Sequence, residues 1–295
     1  MPTLMLTGAT GFLGSHLLKG LLVNTDYDIV VLKRSTSDIF RIYTELENKR
    51  VKSFDSDFVP LRDIFSQSPA DIIIHAATNY GRDNKNITEV VEANLILPLR
   101  LLQFGMEYGL KTFVNTDTIL DKNISHYSMS KKQFLDWLFA YSNRIKCLNL
   151  RLEHFYGPHD NKTKFVTFIV RSLLSDVPFI DLTAGEQKRH FIDVNDVVDA
   201  FVCVLKNADI IENGFNTFDI STEKSISVRD FVMLTKRLSG NTTTKLNFGI
   251  VSYRHGEAMD VQTDIRPLCA LGWQPKIPLD VGLASMIRQE RNKFT

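Results

Sequence analysis

A tyrosine and a lysine stand four residues apart in the segment YSMSK, as Tyr127 and Lys131. Residues at this spacing share one face of a helix, and the apolar residues Phe134 and Leu138 that continue the pattern predict that this face points inward. The phenol of a tyrosine has an ordinary pKa of about 10, so a nearby ammonium group must stabilise the phenolate if the side chain is to exchange a proton near neutral pH. In a chain with eight tyrosines such a pair also arises by chance, and its surroundings must decide whether it is a proton-transfer site.

A threonine at the end of a predicted strand lies one short loop before this helix. The strand ends in FVNTDT, which places the hydroxyl of Thr118 where it can donate a hydrogen bond to a substrate carbonyl oxygen. That oxygen is the atom that Tyr127 would protonate. The alternative interpretation is a threonine in a strand-end turn with no chemical role.

Three glycines follow the first predicted strand directly, in the segment GATGFLG. Gly8 permits a tight turn, Gly11 allows the backbone to approach phosphate groups, and Gly14 allows the next helix to pack on the strand. The N-terminus of that apolar helix also attracts negative charge. Because the glycines lie between a strand and a helix, we predict a dinucleotide site rather than a turn alone.

The end of the second predicted strand, about 20 residues past the glycines, normally distinguishes NAD from NADP. An acidic residue there would bind a ribose 2′-hydroxyl, but this sequence has Lys33 followed by Arg34. An ammonium and a guanidinium group both suit a 2′-phosphate. The sequence therefore predicts NADPH as the cofactor, and the alternative is a solvated basic loop.

Short apolar runs and helical patterns alternate along the chain and must position these residues. Several of the runs are continuously apolar, as is typical of parallel strands covered on both faces. The pattern predicts an α/β fold with a doubly wound parallel Rossmann sheet. We expect residues 1–156 to form the dinucleotide-binding domain and residues 157–295 a smaller, interwoven substrate domain, with segments around 191–220 returning to the core sheet. The predicted strands are 3–7, 28–32, 51–54, 71–75, 112–115, 146–152 and 215–220, and the predicted helices are 12–23, 87–108 and 127–143.

Composition excludes several other classes of protein. The chain has 295 residues, 44% of them hydrophobic, and its 35 basic and 34 acidic residues give a net charge of +1. This hydrophobic content is typical of a folded protein, and the balanced charge argues against a nucleic-acid partner. Cys147, Cys203 and Cys269 are too dispersed for a disulfide framework or a zinc site, so we expect no metal. No apolar run approaches the roughly 18 residues of a membrane span, and we expect a soluble cytoplasmic protein.

These motifs occur together in an order that resembles the extended short-chain dehydrogenase/reductase family, the NAD-dependent epimerases and dehydratases. They are GATGFLG, HAA at residues 75–77, Asn94, Thr118, YSMSK and RHFIDVNDV at residues 189–197, and they span essentially the whole chain. The resemblance implies a homodimer in which Thr118, Tyr127 and Lys131 are catalytic. The cofactor-binding residues that it implies are Gly8, Thr10, Gly11, Phe12, Leu13, Gly14, Lys33, Arg34, Asp57, Ala76, Ala77, Asn94, Tyr127 and Lys131.

Two arginines resemble those that hold the diphosphate of a nucleotide sugar in this family. Arg189 begins the RHFIDVNDV segment and Arg254 begins RHGE, and paired guanidinium groups match a diphosphate in geometry and charge. Either arginine could instead be an ordinary surface cation. His154 occupies the place of an asparagine that contacts substrate in UDP-galactose 4-epimerases, or it is a core histidine. The implied substrate-binding residues are Thr78, Tyr80, Thr118, His154, Arg189 and Arg254.

The residues after Thr118 distinguish among the reactions of the family. The 4,6-dehydratases have Thr-Asp-Glu at this strand end, whereas this chain has Ile119 and Leu120 and so lacks an acid and a base for dehydration. GDP-fucose synthases combine a cysteine in this loop with a histidine in a YGPHD segment. His159 matches that histidine, but Leu120 stands in place of the cysteine. Simple hydride transfer, which needs only the three catalytic residues and the cofactor, is the reaction that remains.

A narrower resemblance is to the branch of the family that makes CDP-linked 3,6-dideoxyhexoses such as paratose and abequose. The similar segments are HAATNYGR, NTDT with its short following loop, RLEHFYG and GEQKRHFIDVNDV. This resemblance implies NADPH-dependent reduction of the C4 ketone of a CDP-4-keto-3,6-dideoxyhexose, in the biosynthesis of lipopolysaccharide O-antigen sugars. One alternative is a nucleotide-sugar 4-epimerase with tightly bound NAD, against which Lys33 and Arg34 count. Another is a non-catalytic NAD(P)-sensing module on the same fold.

Overall fold

The structure is a computed structural model that describes residues 1–81, 86–254 and 256–292. From Thr3 to Leu152 the chain alternates strands and helices, and beyond Leu152 the order is irregular. The strands are β1 (Thr3–Thr7), β2 (Asp28–Lys33), β3 (Val51–Asp55), β4 (Ile72–His75), β5 (Thr112–Thr118), β6 (Lys146–Leu152), β7 (His154–Tyr156), β8 (Phe179–Leu182), β9 (Lys188–Arg189), β10 (Phe191–Asp193), β11 (Phe215–Ile220), β12 (Ile226–Ser227) and β13 (Lys245–Phe248).

The helices follow the strands in the order expected for an α/β protein, and one short segment, Glu92–Ile96, is π-helical. No helix of the described ranges is long and apolar enough to cross a membrane. The α-helices are α1 (Phe12–Asn24), α2 (Tyr43–Leu46), α3 (Leu61–Gln67), α4 (Ile87–Val91), α5 (Leu97–Glu107), α6 (His126–Ala140), α7 (Phe165–Leu174), α8 (Val194–Lys206), α9 (Val228–Ser239), α10 (Arg266–Ala270) and α11 (Leu279–Arg291).

Seven strands form the main sheet, in the order β3-β2-β1-β4-β5-β6-β11. The pairings that join β1 to β6 are parallel. The central strand β1 is apolar and buried, with Leu4, Met5 and Leu6 fully covered. The strand order reverses between β1 and β4, and ligands bind in such sheets at the carboxyl ends of the strands beside that reversal. The predicted doubly wound Rossmann sheet is confirmed.

The chain divides into two compact units. Unit 1 comprises Met1–Leu152 and Val198–Phe218, and unit 2 comprises Glu153–Val197 and the chain from Asp219 onward. In unit 1 the helices cover the sheet with apolar side chains. The ring of Phe113 on β5 packs against that of Phe134 on α6, with 5.5 Å between ring centroids. This contact places α6 beside the strand that ends at Thr118.

Several predicted bounds in unit 1 differ by a few residues from the structure, the helix predicted at 127–143 among them, and for two elements the contacts give the reason. The strand predicted at 112–115 extends to Thr118, because β5 keeps pairing with β6 as far as the pair Thr118 and Leu152. The helix predicted at 87–108 is interrupted by the π-helical segment. There the Leu97 N–H donates to the Glu92 carbonyl, and Pro98 has no N–H to continue the α-helical pattern.

Unit 2 is built from pairs of short strands and packed helices. β7 pairs with β10 and β8 with β13, both in parallel, and β9 pairs with β12 in antiparallel. Its apolar core lies among α7, α9 and α11, where Ile169, Phe231 and Met286 are buried. The rings of Phe191 and Phe231 stack at 3.9 Å between centroids. This core is separate from the core under the main sheet.

Candidate active site

The glycine turn after β1 lies against the segment that follows β4. Gly8 has a φ of 72°, a conformation that favours glycine, and a Cβ there would come within 2.5 Å of the backbone nitrogen of Ala77 and 2.6 Å of the carbonyl carbon of Ala76. A Cβ on Gly14 would lie 2.0 Å from the carbonyl oxygen of Gly8. The turn itself is closed by a hydrogen bond from the Gly11 N–H to the Gly8 carbonyl, 2.9 Å long. Side chains at Gly8 and Gly14 would therefore collide with the backbone.

Helix α1 begins directly after this turn, with Gly11 as its N-cap. Gly11 has no side chain to cap the helix and the first turn contains no acidic residue, so no carboxylate of that turn neutralises the positive end of the helix dipole. The N–H groups at a helix start have no partner within the helix. The turn at Thr10, Phe12 and Leu13 therefore fits the pyrophosphate of a dinucleotide.

The two cations after β2 differ in their surroundings. Lys33 forms an ion pair with Asp55 at the end of β3, whereas Arg34 is exposed. Asp57 accepts hydrogen bonds from the backbone N–H of Ser35 at 2.9 Å and from its hydroxyl at 2.6 Å. These two bonds, with a smaller contribution from Arg34, hold the pKa of the Asp57 carboxyl below its ordinary value. Arg34 is thus the more accessible of the two predicted phosphate ligands.

Arg41 is a third cation of this region, and it is not among the residues predicted from the sequence. Its Nη1 donates to the carbonyl oxygen of Thr10 at 3.4 Å, so the guanidinium group lies against the glycine turn. The neighbouring side chain of Ile42 is fully buried and fixes the loop. The sequence gives little indication of this contact, because Arg41 lies seven residues beyond Arg34 and shortly before a helix of only four residues.

His75 supports the segment that faces the glycine turn. The histidine is completely buried at the end of β4, and its Nδ1 lies 2.9 Å from the hydroxyl of Thr7, which also accepts the N–H of Ala77 at 3.2 Å. Burial, with a contribution from Lys131, lowers the pKa of His75 well below its ordinary value. The ring is therefore neutral at pH 7, and we assign Nδ1 as the acceptor of the Thr7 hydroxyl. This network joins β1 and β4 and holds Ala77 against the turn.

Asn94 connects the loop after β4 to helix α6. The residue lies in the π-helical segment and is fully buried. Its amide oxygen accepts the Thr78 hydroxyl at 3.0 Å and the Asn79 N–H at 2.8 Å. Its amide nitrogen donates to the Asn79 carbonyl at 2.8 Å and to the Ser130 hydroxyl at 3.0 Å. These four bonds use the full capacity of the amide, so the structure places Asn94 and Thr78 in a support for α6.

The three predicted catalytic residues come together where β5 ends and α6 begins. Ser125 caps α6 through a reciprocal pair of hydrogen bonds with Ser128, which fixes the helix start at His126, one residue before Tyr127. The side chain of Thr118 lies near the phenol of Tyr127 and lowers its pKa. The ring of Tyr80 lies 4.9 Å from the ring of Tyr127, centroid to centroid. The hydroxyl of Thr118 and the phenol of Tyr127 are therefore neighbours at the carboxyl end of β5.

Lys131 lies one turn further along α6 and is only 1% exposed. Its Nζ has no hydrogen-bond partner within the part of the chain that the structure describes. Burial lowers the pKa of this ammonium group to about 8, with Asp117 raising the value and Lys132 lowering it. Because a buried donor without a partner is costly, the group fits a site that a polar ligand completes.

The pKa of Tyr127 differs from the sequence-based expectation. Burial raises it above its ordinary value, Tyr80 and Asp117 raise it further, and the side chain of Thr118 opposes them. The spacing of the pair predicts that the ammonium of Lys131 lowers this pKa, but in the protein alone the desolvation of the phenol outweighs any such effect. Tyr127 therefore carries its proton at neutral pH.

The two predicted diphosphate ligands lie in unit 2, near one glutamate. Arg189 is buried and binds Glu257, with further bonds to the carbonyl oxygens of Lys188 at 2.6 Å and Ala258 at 2.8 Å. Arg254 is exposed, and its carbonyl oxygen accepts the Glu257 N–H at 3.0 Å. The structure thus brings both arginine positions to Glu257, although only Arg189 is held by it.

His154, the remaining predicted substrate contact, also lies in unit 2. Its Nδ1 is 2.9 Å from the carboxylate of Glu153, and its side chain is 38% exposed. The imidazole is therefore partly accessible and is not a core histidine. Arg82, the last residue of HAATNYGR, and His255 of RHGE lie outside the described residues. Within the described ranges no three His, Cys, Asp or Glu side chains are grouped to hold a metal ion.

The geometry and the sequence match a known enzyme family. Residues 4–218 match the NAD dependent epimerase/dehydratase family, and the chain belongs to that family. It is therefore an enzyme of the extended short-chain dehydrogenase/reductase type. The fold is that of UDP-glucuronic acid 4-epimerase from Bacillus cereus, with a TM-score of 0.85 over 99% of this chain and 100% of that one, at 22% identity.

Two relatives of known name align along nearly the whole chain. CDP-abequose synthase of Salmonella typhimurium is 31% identical over 97% of each protein. The dTDP-4-dehydro-6-deoxyglucose reductase of Escherichia coli is 25% identical over 98% of each. The chain is thus similar in sequence to enzymes that act on nucleotide-linked deoxysugars.

Proposed function

We propose that this protein is an NADPH-dependent reductase of the C4 ketone of a CDP-linked 4-keto-3,6-dideoxyhexose, in the synthesis of O-antigen sugars. The observation that carries the proposal is the position of Thr118 beside a protonated Tyr127, one helical turn from the buried ammonium of Lys131. The similarity to CDP-abequose synthase supports the CDP-linked sugar. Ile119 and Leu120 follow Thr118 and cannot act as the acid and base of a dehydration.

In this reaction Tyr127 is the general acid. Its raised pKa keeps the phenol protonated at neutral pH, so it can give its proton to the oxygen of the substrate ketone as that oxygen gains negative charge. Thr118 donates its hydroxyl hydrogen bond to the same oxygen and orients it. The ammonium of Lys131 then stabilises the phenolate left on Tyr127.

A nicotinamide dinucleotide, when bound, supplies the hydride that reduces the carbonyl carbon. The residues that would hold it are the glycine turn for the pyrophosphate, Arg34 for the 2′-phosphate, and Lys131 for the nicotinamide ribose. The fit rests on the close approach of Gly8 and Gly14 to the backbone and on the unpartnered Nζ of Lys131 among the described residues. The glycine turn leaves backbone N–H groups for the pyrophosphate, and the ammonium of Lys131 has a donor available for the ribose.

The diphosphate of the sugar nucleotide is bound in unit 2 under this proposal. Arg254 is exposed and can approach it directly. Arg189 is paired with Glu257, so a diphosphate would have to share or displace that carboxylate. Two guanidinium groups give the charge and the forked geometry that a diphosphate requires.

The test is turnover of CDP-4-keto-3,6-dideoxyglucose with NADPH carrying deuterium at the transferable position. We expect one NADPH to be consumed per sugar, with the label at C4 of the product. Tyr127→Phe should lower turnover by about 10²–10⁴-fold while NADPH still binds. Tyr141→Phe, at the far end of α6, is the matched control and should keep full activity.

Two results would overturn the proposal. Interconversion of C4 epimers without net consumption of NADPH would identify a 4-epimerase. Binding of the dinucleotide with no turnover of any nucleotide-linked keto sugar would identify a binding protein.

A further inference from the structure

One buried ion pair joins the strand end that carries Thr118 to the helix that carries Tyr127 and Lys131. The side chain of Asp117 on β5 is completely buried, and its Oδ2 lies 2.7 Å from Nζ of Lys132 on α6, whose side chain is 21% exposed. An ion pair at this depth is costly to desolvate unless its remaining hydrogen bonds are also made. The other partners of these two groups therefore show what the pair holds in place.

Both members of the pair also bind the backbone of Thr118. The Thr118 N–H donates to Oδ1 of Asp117 at 2.7 Å, and Nζ of Lys132 donates to the Thr118 carbonyl at 2.7 Å. Asn149 on β6 donates to Oδ2 of Asp117 at 3.2 Å and joins the pair to the next strand. Thr118 is thus held on one side by its own strand and on the other by the helix.

We propose that Lys132 is a positioning residue for the ketone reduction, because it fixes Thr118 on β5 relative to Tyr127 and Lys131 on α6. The inference rests on the proposed function. Thr118 lies at the end of β5 and Tyr127 lies on α6, so the approach of their two side chains depends on the separation of these elements. Lys131 and Lys132 are neighbours in the helix, yet only Lys132 uses its donors within the described chain.

The pair has an electrostatic effect in addition to its geometric one. The carboxylate of Asp117 raises the pKa of Tyr127, and the ammonium of Lys132 lies directly on that carboxylate. Removing the ammonium leaves an uncompensated charge beside the general acid and makes Tyr127 a weaker proton donor. The other groups that face Tyr127 or Lys131 are Tyr80 from the loop after β4, His75 from β4 and Thr118 from β5.

Lys132→Met is the first test, in the intact protein with NADPH and the keto sugar nucleotide. A displacement of Thr118 by even about 1 Å is expected to lower kcat by about 10–100-fold, with the KM for NADPH within about twofold of the wild type. Lys132→Arg, which can still bind a carboxylate and a carbonyl, should restore most of the activity. Lys111→Met is the matched control, because Lys111 binds Asp71 at the same 2.7 Å distance before β5 begins, and it should leave kcat unchanged.

A double variant guards against loss of folding. Lys132→Met alone leaves the Asp117 carboxylate buried without its partner, whereas Asp117→Asn with Lys132→Met removes both charges and keeps an acceptor for the Thr118 N–H. If Lys132 positions Thr118 through its carbonyl, this double variant folds and still has a reduced kcat. Full activity in the double variant, or in Lys132→Met, would overturn the inference.

Hydrogen exchange separates this inference from the proposed function. Peptides that cover the end of β5 should exchange faster in Lys132→Met than in the wild type, and Lys111→Met should not change them. If the wild-type protein reduces no keto sugar, the proposed function is wrong. Faster exchange at the strand end would still show that Lys132 holds Thr118 in place. Unchanged exchange at that strand end would show that Lys132 does not hold Thr118 in place, whether or not the enzyme reduces the sugar.

Discussion

Each unit of the molecule buries a long cationic side chain at a position that the sequence predicts to be functional. The two cations differ in whether the protein supplies hydrogen-bond partners for them. In unit 1, Lys131 is 1% exposed, and its ammonium has no hydrogen-bond partner among the described residues. In unit 2, the side chain of Arg189 is 7% exposed and binds Glu257 and two carbonyl oxygens. Burial alone therefore does not distinguish a ligand-binding cation from a structural one.

The difference lies in what each cation does for the folded protein without ligand. A buried charge that has no partner destabilises the fold, whereas a buried charge that is fully hydrogen-bonded is part of the fold's own framework. Lys131 fits the first description, so its burial is explained by something other than stability. Arg189 fits the second, and a role in substrate binding would be added to a structural role.

Lys131→Met should have the largest effect. We expect this substitution to lower turnover and to raise the free energy of unfolding. Turnover should fall by about 10²–10³-fold, because the phenolate of Tyr127 loses its cation. The free energy of unfolding at pH 7 should rise by about 3 kcal/mol, since the pKa of the ammonium is lowered from 10.5 to about 8 by burial. Chemical denaturation and steady-state kinetics measure the two quantities. A loss of stability in this variant would show that Lys131 has a partner in solution.

Arg189→Met should instead destabilise the protein. The change leaves Glu257 and two carbonyl oxygens without their donor, which costs about 1–3 kcal/mol. Arg254→Met is the control from the same region, because Arg254 is exposed and its removal should change stability by less than about 0.5 kcal/mol. If both arginines bind the diphosphate, both variants should raise the KM for the sugar nucleotide, and Arg254→Met should do so without any loss of stability. Unchanged KM values in both would place the diphosphate elsewhere.

The pH dependence of stability sharpens the contrast. Below pH 8 Lys131 is protonated in both the folded and the unfolded protein, so the cost of burying its charge is constant. Between about pH 8 and 10.5 the unfolded chain binds more protons at this group than the folded protein does, and the wild type therefore gains stability as pH rises. The advantage of Lys131→Met over the wild type should shrink from about 3 kcal/mol at pH 7 toward zero near pH 10.5. A difference that stays constant over this interval would contradict the lowered pKa.

The sequence predicted the parts of the site that depend on local pattern. The continuous apolar runs and the glycine spacing predicted the Rossmann sheet and the start of α1 after Gly11, because both follow from neighbouring residues. The YSMSK spacing placed Tyr127 and Lys131 on one helix face. The apolar residues Phe134 and Leu138 share that face and are buried with Lys131, whereas Tyr127 is half-buried.

The parts that the sequence did not predict depend on contacts between distant residues. No local signal shows that Lys33 pairs with Asp55 on the next strand, or that Arg41 reaches the glycine turn. The four bonds of Asn94 need three segments to meet, one of them α6. The pKa of Tyr127 could not be predicted either, because its largest cause is burial in the assembled fold.

The smallest expected effect comes from the same comparison within unit 1, between Lys33 and Arg34, the paired and the exposed cation of the proposed cofactor site. The ammonium of Lys33 is already neutralised by Asp55, whereas Arg34 is exposed beside Asp57. Arg34→Ala should weaken NADPH binding by about tenfold, the equivalent of about 1.4 kcal/mol for one charge-assisted contact, and should leave NADH binding unchanged. Lys33→Ala should weaken NADPH binding less, because the 2′-phosphate would have to compete with Asp55 for the ammonium. Titration of both dinucleotides into the wild type and the two variants measures these differences.

If Lys33→Ala has the larger effect, the ion pair between Lys33 and Asp55 opens for the phosphate. If neither variant changes the preference between the dinucleotides, the 2′-phosphate lies elsewhere. Arg41, which contacts the glycine turn, is then the next cation to replace.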